Sequence, residues 1–96
     1  MAPMSESEIQ AALASLPGWA AAGGALTRRF TFATFPAGIA FVDRVARVAE
    51  EMGHHPDITI NYTAVTLRLS THDAGGVTAK DVDLARRLNP LADAGA

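Results

Sequence analysis

The chain contains no cysteine. That excludes a disulfide framework, a thiolate nucleophile and a thiolate metal site, and it fits a reducing compartment. Charge of one sign is also missing. Eight basic residues against ten acidic ones leave a net charge of −2 with no basic face, so nucleic acid is not expected as a partner. No apolar run approaches the roughly 20 residues that a membrane helix needs. The opening MAPMSESEIQ lacks a basic segment followed by an apolar one, so it does not read as a secretory signal. Internal repeats, low-complexity blocks and linkers are absent. So are the Walker, dinucleotide-binding, Gly-x-Ser-x-Gly and His-Glu-x-x-His patterns. With 49% hydrophobic and 19% charged residues, the composition is that of a globular protein. The expectation is a single domain over residues 1–96, soluble and cytoplasmic, without membrane association.

What is present is concentrated in residues 50–81, EEMGHHPDITINYTAVTLRLSTHDAGGVTAKD. All three histidines, His54, His55 and His72, fall there. Histidine is the side chain whose unperturbed pKa, about 6.5, lets it give and take protons near neutrality. A chain that places every histidine in one third of its length is expected to build a site there.

The rest of the sequence reads as scaffold. Ser5 and Glu8 stand at capping-box spacing, and Ile9, Leu13 and Leu16 give an apolar edge, predicting a helix over 5–15 that Pro17-Gly18 stops. Trp19–Ala22 and Ala25–Phe32, joined by Gly23-Gly24, read as a hairpin. Leu26, Phe30 and Phe32 share one face with Arg28, while Thr27, Arg29 and Thr31 take the other. Thr34 caps the longest helix, with Pro36 in its first turn and Gly53 as its stop. Its rows Ile39, Val42, Ala46, Ala49 and Phe41, Val45, Val48, Met52 make an apolar surface wider than one sheet needs, and part of it is expected to contact another subunit. Ile58, Ile60 and Tyr62 occupy even positions, whereas Val65, Leu67 and Leu69 occupy odd ones. That phase flip demands a turn near Asn61–Ala64 and a second hairpin. Ser70–Gly76 reads as a loop. Thr78 caps a last helix reaching about Leu88 and ended by Asn89-Pro90, and the tail ADAGA is expected to fray. The order α-β-β-α-β-β-α predicts an α+β fold, a four-stranded antiparallel sheet with three helices packed on one face.

Within the histidine-rich stretch, the residue before Pro56 is pushed to an extended conformation, so His54 and His55 should point different ways. Such geometry suits two roles around a substrate better than two ligands on one metal. Glu50 and Glu51 sit in the last turn of a helix, where the dipole disfavours acids by about 0.3–1 kcal/mol. A broken local rule beside two histidines marks a candidate site. The alternative is that both acids are solvated near Arg44 or Arg47. His72 follows the fourth strand, and Gly75-Gly76 would let a ligand approach the backbone. Asp81 reads as structural, because Thr78 and Asp81 stand at capping-box spacing. From the residues alone the chain supports a small histidine site with no metal and no cofactor.

The spacing Glu50, three residues, His54-His55-Pro56, five residues, Tyr62, nine residues, His72, eight residues, Asp81 resembles the signature of the pterin-4a-carbinolamine dehydratases. Leu16-Pro17-Gly18-Trp19, Arg29-Phe30-Thr31-Phe32, Ser70-Thr71-His72 and Gly76-Val77-Thr78 fit the same family, over about Leu16 to Leu88. The resemblance implies the same fold and a hydro-lyase that dehydrates 4a-hydroxytetrahydropterin to quinonoid dihydropterin, recycling the cofactor of an aromatic amino acid hydroxylase. It implies His54 and His72 as the acid/base pair and His55 as mainly binding and orienting the pterin. Trp19, Glu50, Pro56, Thr71 and Asp81 would complete the surroundings of the substrate. A homodimer or homotetramer is implied as well. Other readings stay open: a metal site, a pterin-binding role in molybdopterin metabolism, and a non-catalytic oligomerisation or regulatory module.

Overall fold

The computed structural model describes residues 2–93. The expected fraying of the tail concerns, for residues 94–96, positions outside them. The observed order is α1 (Glu6–Leu13), β1 (Ala20–Ala22), β2 (Ala25–Thr31), α2 (Phe35–Met52), β3 (Asp57–Asn61), β4 (Ala64–Leu69) and α3 (Ala79–Leu88), with 3₁₀ turns at His72–Ala74 and Asn89–Ala92. The α+β reading is borne out. Helix α1 ends two residues earlier than expected, because Ser15 and Leu16 turn tightly onto Ala12 and Leu13 before Pro17 is reached. Its capping box forms as expected, Ser5 with Glu8.

The four strands make one antiparallel sheet in the order β1-β2-β4-β3. Gly23 and Gly24, both at positive φ (58° and 75°), close the first hairpin. The phase flip resolves where the alternation required, at Tyr62-Thr63, and Tyr62 takes a φ of 53° there. Helix α2 begins at its Thr34 cap and stops at Gly53, whose φ of 62° a residue with a Cβ rarely adopts.

The core lies between the helices and one sheet face. Phe41, Val45 and Ala49 of α2 meet Leu26, Phe30, Val65, Leu67 and Leu69 of the sheet, with Leu84, Ala85 and Leu88 of α3 beside them. Each fully buried large side chain contributes about 1.5–3 kcal/mol. Arg28 shares this face, and its guanidinium is accommodated in a specific way. It lies 4.2 Å above the Phe30 ring and donates to the Pro17 carbonyl (3.0 Å) and Asn89 Oδ1 (2.7 Å).

Ile58 and Ile60 stand directly opposite Leu67 and Val65, so they too point to the helix side. Yet they are 37% and 41% exposed, because β3 is an edge strand that the helices do not cover. On α2, Phe35 and Ile39 are exposed as well. The expected surplus of apolar surface on α2 is therefore real.

Candidate active site

The C-terminus of α2, the end of β4 and the N-terminus of α3 meet at one polar cavity of about 380 Å³, lined by Gly53, His54, His55, Ser70, Thr71, His72, Asp73 and Lys80. Three local devices put the histidines there. Gly53 ends α2 in a left-handed turn, so His54 leaves the helix axis, its amide bonding back to the Ala49 carbonyl. Pro56 then holds the chain extended into β3. A bridge between Thr71 and Gly76 closes the short turn that brings His72 into the same cavity lining.

His54 and His55 do point different ways. His54 Nε2 lies 2.5 Å from Asp81 Oδ1, with the imidazole 13% and the carboxylate 0% exposed. The other carboxylate oxygen, Oδ2, accepts from Thr71 Oγ1 (2.8 Å) and from the Thr78 backbone N–H (2.9 Å). Thr71 and Thr78 hydroxyls are also 2.8 Å apart. A buried carboxylate is costly unless its lone pairs are filled, and here every contact is a donor. With Nε2–H donating to Asp81, the lone pair of His54 sits on Nδ1. His55 Nε2 lies 2.8 Å from Glu50 Oε1, both well exposed. This answers the question about the two acids at the end of α2. Glu50 orients His55, whereas Glu51 pairs with Arg87 at 3.1 Å; Arg47 is taken by Asp43 and Arg44 by the Leu91 carbonyl. His72 is exposed and makes no side-chain hydrogen bond among the described residues.

Of the candidate site residues, His54, His55, His72 and Thr71 line the cavity, and Asp81 and Glu50 stand behind two of the imidazoles. Pro56 shapes the chain without being among the lining residues. Trp19 is not brought to the cavity wall: it is 7% exposed, packs edge-on to Phe30 and donates from its indole N–H to Asn89 Oδ1 at 2.6 Å. Ser70, Asp73 and Lys80 were not singled out from the sequence. Ser70 donates to the Gly24 carbonyl, a contact between residues 46 apart that no local pattern signals. Lys80 carried a signal, being the only lysine in the chain. A larger groove of about 630 Å³ runs along α2 past Phe35, Ile39, Val42 and Ala46, but Asp43 is its only ionisable side chain. It offers no acid/base pair. No three His, Asp or Glu side chains among the described residues are placed to hold a metal ion.

The fold and the site define a small α+β domain whose open polar cavity is lined by three imidazoles, one of them bonded to a buried carboxylate. Comparison with known proteins narrows the class. The family model for pterin 4 alpha carbinolamine dehydratase matches residues 2–91, and the chain belongs to that family. It is 51% identical over 89 residues to a Nocardia farcinica protein provisionally named pterin-4-alpha-carbinolamine dehydratase, covering 93% of this chain and 94% of that one. Among solved structures it resembles a transcriptional coactivator/pterin dehydratase from Brucella melitensis, with a TM-score of 0.90, 37% identity and coverage of 94% and 98%. A pterin dehydratase-like protein identified as a RuBisCO assembly factor of the alpha-carboxysome superposes with a TM-score of 0.69 at 28% identity, covering 81% and 93%. A protein of similar fold is thus described by a protein-assembly role.

Proposed function

We propose that this chain dehydrates 4a-hydroxytetrahydropterin to quinonoid dihydropterin, returning the spent cofactor of an aromatic amino acid hydroxylase for reduction. In the step, the C4a–O bond breaks and its electron pair leaves with the oxygen, which takes up a proton and departs as water. The N5 proton passes to a base, and the N5 electron pair closes the C4a=N5 bond. His54 is the base through Nδ1, with Asp81 fixing its tautomer, and His72 delivers the proton to the leaving oxygen. Each such transfer is worth about 10²–10⁴ in rate. His55, held by Glu50, orients the pterin, Thr71 forms part of the wall, and Pro56 sets the path of the chain beside His55. The observation that supports this reading is that His54, paired with the buried Asp81, and His72, which has no side-chain hydrogen bond among the described residues, line one cavity. No cofactor or metal takes part, and a cytoplasmic location fits the reaction.

Among the described residues the exposed large hydrophobics, Phe35, Ile39, Ile58, Ile60 and Tyr62, lie on α2, on β3 and in the turn that follows β3. Their concentration supports a homodimer or homotetramer, and it also favours a second reading in which the chain serves assembly or regulation without catalysis. A further pterin, such as one in molybdopterin metabolism, would fit the same cavity chemistry.

The test generates 4a-hydroxytetrahydropterin in situ with a phenylalanine hydroxylase and follows its dehydration by absorbance. Wild type should exceed the spontaneous rate, and His54→Ala and His72→Ala should each fall by at least about 10²-fold. Acceleration unaffected by either change would overturn the site assignment. No acceleration by wild type would put the assembly or molybdopterin-related readings first.

A further inference from the structure

We propose that Lys80 is a specificity-determining residue of the histidine cavity, selecting pterins whose C6 side chain carries an anionic group such as a phosphate monoester. The inference rests on the pterin reading of that cavity and adds the chemical class of the side chain.

Lys80 is the chain's single lysine; the other seven basic residues are arginines. It lines the cavity together with His54, His55 and His72. Its place in the fold is one that a cation does not favour. Thr78 caps α3, so Lys80 is the second helical residue, at the positive end of the helix dipole. Among the described residues its ammonium has no carboxylate within 4.0 Å, whereas Arg47, Arg68, Arg86 and Arg87 all do. Only its backbone N–H is engaged, donating to Thr78 Oγ1 at 3.3 Å.

The neighbouring charges sharpen the point. Asp81 is the adjacent acid, but both its oxygens are turned inward to His54, Thr71 and Thr78. Asp73 lines the same cavity and forms no ion pair with Lys80. Lys80 is exposed, so water hydrates its ammonium when no ligand is bound, and a ligand with a negative group offers it a charge-assisted partner that a neutral ligand does not. The pterin bicycle itself is an amide-like, uncharged hydrogen-bonding surface, so the negative charge has to come from its side chain. An ammonium on a flexible stem acts as a point charge for phosphate in this way.

The experiment uses the full chain and the fluorescence of two oxidised pterins, one with a neutral polyol side chain at C6 and the other its phosphate monoester. Equilibrium titrations at low salt are made with wild type, Lys80→Gln and Lys80→Arg, each checked for an unchanged melting curve. Wild type should bind the phosphate ester about tenfold more tightly than the polyol, the scale of one charge-assisted contact. The ratio should fall to about one in Lys80→Gln and be largely kept in Lys80→Arg. A wild-type ratio of one, or a preference that survives Lys80→Gln, would overturn the inference while leaving pterin binding intact. Failure of both pterins to bind would overturn the pterin reading and this inference together.

Discussion

Replacing Asp81 by Asn removes one charge and almost no volume, and it separates the two jobs of this residue. The carboxylate is fully buried and receives three donors, from Thr71, from the Thr78 amide and from His54. An asparagine has two ways to sit. If its NH₂ faced the Thr78 N–H, two donors would oppose each other in the interior, at about 1–3 kcal/mol. The amide oxygen therefore takes the Oδ2 place and keeps the Thr71 and Thr78 contacts. Its NH₂ then faces His54 Nε2, which becomes an acceptor, and the imidazole proton moves to Nδ1. The lone pair that served as the base is gone.

Bonds to a carboxylate become bonds to an amide, but a buried charge is also removed, and these effects oppose each other. The net loss should be about 1 kcal/mol, or about 4–8 °C in Tm for a chain of this size. Asp81→Ala instead leaves the Thr78 N–H unpartnered and opens a cavity, costing about 3 kcal/mol, or roughly 12–24 °C. Both variants should lose about 10²–10⁴ in dehydration rate. Nitrogen shifts of the His54 ring, read by long-range ¹⁵N–¹H correlation, report the tautomer independently of activity. Asp81→Asn with activity within threefold of wild type, or with His54 still protonated on Nε2, would refute the reasoning.

Tyr62 is 73% exposed at a φ of 53°, where an ordinary residue is strained by about 1–2 kcal/mol. Tyr62→Gly relieves that strain but adds about 0.5–1 kcal/mol of unfolded-state entropy, so the net gain should be about 0.5–1 kcal/mol and a few degrees in Tm. A lower melting temperature would show that the ring makes a contact worth more than the strain. Glu8 gives a pH dependence to α1. Hydrogen bonds from the Ser5 backbone N–H, first, and from the Ser5 hydroxyl hold its carboxyl below the usual value of 4.5. A group whose folded pKa is depressed adds stability that is present above its unfolded pKa and lost as the pH falls through the folded one. The Cα shifts of α1 should therefore move toward coil on acidification below about 4.5, and Glu8→Gln should remove the transition. Shifts that stay constant down to pH 3 would argue against the capping box as the source of order at this end.

Most of the scaffold was legible because its signals are local. The switch from even to odd apolar positions between Ile60 and Val65 cannot fit one strand, so it located the turn. Thr34 and Gly53 marked both ends of α2, and Gly23-Gly24 the first hairpin. What stayed hidden depends on contacts between distant segments. The exposure of Ile58 and Ile60 follows from the strand order, which leaves β3 outside the helix layer. The tie between Trp19 and Asn89 spans 70 residues. Helix propensity and the dipole rule treat Glu50 and Glu51 alike, and only the family resemblance singled out Glu50.

Apart from the family resemblance, which put it in the site, Asp81 was legible for only one of its two roles, and the reason is physical. Thr78 and Asp81 satisfy the capping-box pattern, which accounts for the residue completely at the local level. Capping, however, uses one carboxylate oxygen and leaves the other with open acceptor capacity. In a buried site that capacity must be filled. The fold fills it with His54, brought from the end of α2 by the Gly53 turn, and a cap thereby becomes the orienter of an imidazole. The start of α3 and the geometry of the site consequently rest on the two oxygens of one side chain. A change that loosens the cap must also loosen His54, so Thr78→Ala, which touches no histidine, should impair activity along with helix stability. An isosteric change at Asp81 disturbs the imidazole while sparing the cap, which is why the two effects can be told apart there and not at Thr78.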